Sequence, residues 1–154
     1  MTESDKTIKK YLSKAQFICS KSEKCTYDIC EYLKKNELSA EEIQTIINEL
    51  VAEKFIDDFR YSQFYVSDKL KFNKWGRIKI RHALKQKRIP SHIIESAISE
   101  IDEENYFEIL KSLLYNKNKT INKQDDLKRK QSLIRFATSR GFEYNLILDI
   151  ISGL

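Results

Sequence analysis

The chain has 154 residues, 41% apolar and 33% charged, with a net charge of +5, so it holds enough apolar material for one ordinary domain or a few small units and is no disordered tail. Three glycines and one proline leave little turn material, which excludes a sheet-rich fold built on hairpins. No apolar run approaches the roughly 20 residues that span a bilayer, and the polar start MTESDKTIKK has no signal-peptide core, so a soluble, cytoplasmic protein with no membrane partner is expected.

In chain order, an amphipathic helix is predicted over 7–20. Cys19, Cys25 and Cys30 follow at Cys-x5-Cys-x4-Cys spacing. Three thiols cannot pair completely, and the spacing matches no zinc finger or ribbon, so they are read as reduced and idle. Residues 29–50 read as helix, turn, helix, the second helix opened by the capping box Ser39–Glu42. Asp57 and Asp58 cap a helix over 58–72, whose Phe64, Tyr65 and Phe72 are read as core. A basic helix follows over 76–88, with Trp75 as a packing anchor between units. Pro90 suits a helix start. A helix over 103–115 leads to YNKNKTINKQDD, read as a long polar loop. Residues 133–154 again read as helix, turn, helix, with Gly141 as the left-handed residue that ends the first of them.

The pattern recurs. Ile29, Ile80 and Leu133 correspond, as do Leu33, Leu84 and Ala137, then Leu38, Ile89 and Phe142, then Ile43, Ile94 and Ile147, then Ile47, Ile98 and Ile151. Near-constant offsets of this kind mark a repeat architecture. The reading is all-α: three tandem three-helix repeats over 1–56, 57–102 and 103–154, forming an elongated, curved, monomeric array. Units of this size have little core of their own and share apolar surface with their neighbours.

Charge is polarised along the array. Residues 1–68 hold 10 basic and 13 acidic side chains, whereas 69–154 hold 18 and 10. Nine of the 28 bases fall between Lys69 and Arg88, and no acid intervenes between Asp68 and Glu95. On a helix, Lys74, Arg77, Arg81, Lys85 and Arg88 gather within about 80°. Like charges at this spacing repel, which a solvated face normally relieves with interleaved acids. The stripe is therefore expected to bind phosphates or acidic side chains. Reversing Arg77 and Arg81 to Glu should then spare the helix and abolish binding. Lys117, Lys119, Lys123, Lys128, Arg129 and Lys130 form a second basic cluster, of which Lys128, Arg129 and Lys130 are additional candidate contacts. No Gly-rich phosphate loop, metal-ligand spacing or Ser-His-Asp set is present, so no catalytic residue, metal or cofactor is implied.

FIDDFRYSQFYVSDKL followed by WGRIKIRHALKQKRI resembles the RecX family, bacterial regulators of the recombinase RecA. The family's central-repeat start is matched by Asp57, Asp58 and Arg60. Its later Gly-x-x-x-Ile-x-x-x-Leu is matched by Gly76, Ile80 and Leu84, and its first-repeat motif by LKKNELSAEEI from Leu33. The family's glycine in the turn inside each repeat is Glu37 in the first, Arg88 in the second and Gly141 in the third. A left-handed residue other than glycine costs about 1 kcal/mol, so the first two turns are expected to shift onto Asn36 or take another geometry. Cys25 stands where the family has a capping Ser, and Thr26 is the expected substitute. The resemblance implies a non-enzymatic modulator that lies in the groove of the RecA–single-stranded DNA filament and inhibits the recombinase, touching DNA directly or within the filament. The rival reading from the residues is a helical-repeat nucleic-acid-binding protein with no recombinase partner.

Overall fold

The computed structural model describes residues 1–121 and 125–154, and Lys123 of the second basic cluster lies outside them. Among the described residues there are nine helices and no strand: α1 (Glu3–Lys21), α2 (Thr26–Lys35), α3 (Ala40–Ala52), α4 (Asp58–Lys71), α5 (Arg77–Gln86), α6 (Ser91–Ile98), α7 (Glu103–Thr120), α8 (Asp126–Ser139) and α9 (Tyr144–Ile151). The main helix–helix packing falls inside three groups, α1–α3, α4–α6 and α7–α9. The result is a helical repeat array. Its accessible surface of 9672 Å² exceeds the roughly 8,100 Å² of a compact globule of this mass, as an extended stack requires.

Most helix starts are capped by short polar side chains, which accept from otherwise orphaned amides. Thr2, Ser39, Asp57, Asp102 and Asp125 each accept from the amide three residues on. Two expected caps differ. Cys25, not Thr26, is the N-cap of α2, and the Asp28 carboxylate reaches back to the Cys25 amide at 3.3 Å. Pro90 is the N-cap of α6 rather than its first helical residue. The polar segment expected to be a long loop is mostly helix: α7 runs on to Thr120, and α8 begins at Asp126.

The turns inside the repeats do not shift. Glu37, Arg88 and Gly141 all take positive φ, at 64°, 60° and 91°. In each case the left-handed residue donates its amide three residues back and the next residue donates five back, as in Ile89 to Leu84. Those next residues, Leu38, Ile89 and Phe142, are buried. Two closing hydrogen bonds and an apolar anchor outweigh about 1 kcal/mol of strain.

The core is in two parts. One cluster is confined to the first unit and includes Ile29, Leu33, Ile46 and Leu50. The other runs unbroken through the second and third units, from Tyr61 and Ile80 to Leu133 and Ile151, and reaches back to the first unit at Cys25.

Candidate partner-binding surface

The predicted stripe does not survive as one surface. Lys74 lies outside α5, in the turn before it, at φ 56°. Gly76 is the N-cap of α5 because nothing larger fits there. A Cβ on Gly76 would lie 2.4 Å from the Gly141 carbonyl oxygen, and one on Gly141 would lie 2.4 Å from the Lys79 Cβ. The Gly76 amide donates to the Arg140 carbonyl at 2.7 Å, and the Ile78 amide to that of Gly141 at 3.0 Å. The start of α5 is thereby clamped onto the turn between α8 and α9.

Arg77 is drawn into this joint. Its side chain is only 14% exposed and pairs with Glu143 at 2.7 Å and with Glu103. The guanidinium stacks 3.9 Å from the centre of the Tyr106 ring. The Tyr106 hydroxyl accepts from the Arg77 amide and donates to Glu143. Burial and that bond to Glu143 push the phenol well above its ordinary range. Arg81 makes a two-pronged pair with Glu95 at 2.7 and 3.1 Å. The acids missing from the stripe are supplied across space by α6, α7 and the N-cap of α9, which no reading along α5 alone reveals. A carboxylate at position 77 would face Glu103 and Glu143, so the double reversal would not spare stability. Lys85 and Arg88 remain exposed, with Arg88 lying 5.7 Å from the centre of the Tyr27 ring.

Of the second basic cluster's described members, three have partners and Lys119 is exposed. Arg129 and Lys130 pair with Asp126 at 2.7 and 3.3 Å, and Lys117 sits over Phe136 at 5.0 Å. Lys128 is exposed.

Other unpaired cations of the second unit gather where α4 meets α5. Lys69 lies over Tyr65 and over Trp75 at 5.2 Å, and Lys79 reaches the same indole at 4.5 Å. Lys71 lies 5.2 Å from the Phe72 ring, and the Lys74 ammonium donates to the Lys71 carbonyl. Phe64 and Phe72, read as core from sequence, are 58% and 70% exposed. The aromatic and cation–π partners of Trp75, namely Tyr65, Lys69 and Lys79, lie in its own unit, and the ring packs against the core shared by the second and third units. One signal for this face was present in the sequence. Phe64, Asp68, Lys71 and Phe72 follow helical spacing with charges interleaved, the mark of an outward face.

At the joint between the first and second units, Asp28 pairs with Lys87 at 2.7 Å and Glu23 with Arg60 at 2.8 Å. The Thr26 amide donates to Asp58 at 2.8 Å. Burial pushes the Cys25 thiol up to about 12, so at neutral pH it is a packing group and no nucleophile.

Comparison with known proteins agrees with this architecture. Residues 57–98 match the second three-helix domain of RecX and residues 103–151 the third. The regulatory protein RecX of Clostridium tetani is 30% identical over 156 residues, which cover 100% of this chain and 71% of the relative. The chain belongs to the RecX family. The RecX of Clostridium acetobutylicum is 29% identical over 146 residues, covering 92% of this chain and 67% of the relative. Two solved structures share the fold. A crystal structure of regulatory protein RecX superposes with a TM-score of 0.88 at 24% identity, over 97% of this chain and 73% of that one. The crystal structure of RecX from Lactobacillus salivarius gives 0.82 at 22% identity, over 96% of each chain. This chain is thus of a family of regulatory proteins, and none of its described helices is long and apolar enough to cross a membrane.

Proposed function

We propose that this RecX family member is a monomeric, non-enzymatic cytoplasmic regulator that binds the RecA–single-stranded DNA filament and inhibits recombinase activity. In this reading it works as three successive units, 1–56, 57–102 and 103–154. The observation that carries it is family membership over nearly the whole array. The extended stack of helices also favours binding along a filament over binding a small molecule. Within the predicted stripe, Lys74, Lys85 and Arg88 are free to contact the filament, with Lys128 as an outlying contact. Arg77 and Arg81 already hold carboxylate partners and are assigned to the array's own geometry. Arg129 and Lys130, paired with Asp126, are likewise removed from the contact set.

The test is a pull-down with RecA, with and without single-stranded DNA and a non-hydrolysable ATP analogue. Retention should require the assembled filament, and Lys74→Glu with Lys85→Glu and Arg88→Glu should lower it by at least tenfold, since reversed charges at a contact cost a few kcal/mol. Equal retention by the parent and the triple variant would remove these residues from the interface. No retention of the parent would remove RecA as the partner.

A further inference from the structure

We propose that the face of the second unit where α4 meets α5 binds single-stranded nucleic acid, with phosphates along Lys69, Lys71, Lys74 and Lys79 and bases stacked on Phe64 and Phe72. The site shares only Lys74 with the predicted stripe and requires no recombinase.

Three observations converge on it. First, among the described residues none of the four lysines is in an ion pair; Asp68 is the acid that α4 itself contributes, and Glu100, Asp102 and Glu108 border Lys71 and Lys74 without pairing, which leaves Lys69 and Lys79 the least countered. Two ammonium groups converge on one indole, at 5.2 and 4.5 Å. Such crowding is unfavourable until an anion arrives. Second, the rings are placed for use. Tyr65, Lys69 and Phe72 lie within about 60° of one another around α4, with Asp68 on the other side of Phe72 and Phe64 and Lys71 beyond it, and the Lys71 ammonium reaches to 5.2 Å from the Phe72 ring. Isolated exposed apolar side chains are ordinary. Two exposed phenylalanines on one helix face, set among four unpaired cations, form a stacking platform with its own electrostatic groove.

Third, the chemistry selects among anions. Carboxylates on an acidic protein would satisfy the lysines and leave the phenylalanines wet. Duplex DNA would satisfy them too, but its bases are already stacked on each other. Only a single strand offers phosphates and free base faces together. Lysine suits this task, because a point charge follows phosphates without imposing bidentate geometry. Phosphate charge and base stacking alone carry the contact, so the expected binding tolerates any sequence.

The experiment uses the intact chain and a fluorescent oligothymidylate of about 20 nucleotides, followed by anisotropy, with a duplex of equal length as comparison. The single strand should bind more tightly than the duplex. Its log affinity should fall with log salt at a slope of about −3, four phosphates at about 0.7 each. Phe72→Ala should weaken single-strand binding about tenfold, leave duplex binding unchanged and leave the melting temperature where it was, since the ring is 70% exposed. Lys69→Ala with Lys79→Ala should flatten the salt slope by more than 1 unit. The proposal is overturned if the parent does not bind the oligonucleotide, if duplex binds as well as single strand, or if Phe72→Ala binds like the parent. It is also overturned if poly-glutamate binds with the same dependence on Phe72, which would reassign the face to an acidic protein.

Discussion

At the second joint of the array Gly76 and Gly141 meet backbone to backbone, and a single apolar core runs through both units. At the first joint the same repeat positions hold Cys25 and Arg88. There the first unit keeps a core of its own, and the contact is made by the buried Cys25 thiol, the half-buried Tyr27 ring, the Asp28–Lys87 and Glu23–Arg60 pairs and the Thr26 amide on Asp58. One repeat grammar thus yields two kinds of connection. A joint with continuous apolar burial and interlocked backbone separates only when both units unfold. A joint of ion pairs with only a thiol and one ring between them opens at lower free energy. Glycine at 141 is explained by this difference more than by its φ, since Glu37 and Arg88 adopt the same backbone without it. What position 141 adds is a neighbour that leaves no room for a side chain.

The widest separation between the joints should come from the left-handed residues. Gly141→Ala forces a Cβ into Lys79 and should cost about 3 kcal/mol from overpacking and strain together. Arg88→Gly, at the equivalent position, should stabilise by up to about 1 kcal/mol by relieving a left-handed side chain. Thermal or urea denaturation of both variants checks the pair. Equal effects would mean that the second joint is no tighter than the first.

The arginines offer a smaller contrast. Arg77→Ala removes a mostly buried guanidinium from two carboxylates and the Tyr106 ring, and should destabilise by about 2 kcal/mol. Arg81→Ala breaks a pair whose Glu95 is half exposed and should cost less than about 1 kcal/mol. If both losses fell below that level, Arg77 would be available to a partner and would return to the candidate contacts.

Acid should act through the first joint, with the smallest effect. Burial pushes the Asp28 carboxyl up, but hydrogen bonds from Lys87 and from Cys25 outweigh it and hold the group below its ordinary 3.8. A carboxyl depressed on folding contributes stability above its unfolded value, and that contribution fades as pH falls through the folded one. Asp28→Asn should therefore lower the melting temperature at pH 6, and the gap to the parent should close below about pH 3.8. A gap unchanged across that range would show that the Asp28–Lys87 pair does not tie the units together.

The sequence by itself determined the elements and their repetition. Apolar residues at helical spacing, Asp57 and Ser39 as caps, and the recurrence from Ile29 through Ile80 to Leu133 are local or periodic signals, and local chemistry suffices to place them. It also determined that the second unit is basic. Which cations are free was decided only by the tertiary structure, because charge neutralisation depends on distance in space. Glu95, Glu103 and Glu143 are 14, 26 and 66 residues from the arginines they meet. The outward turn of Phe64 and Phe72 was likewise a tertiary outcome: an aromatic residue on a helix is core or surface according to what packs against that face, and here α5 and α6 cover the other side of α4.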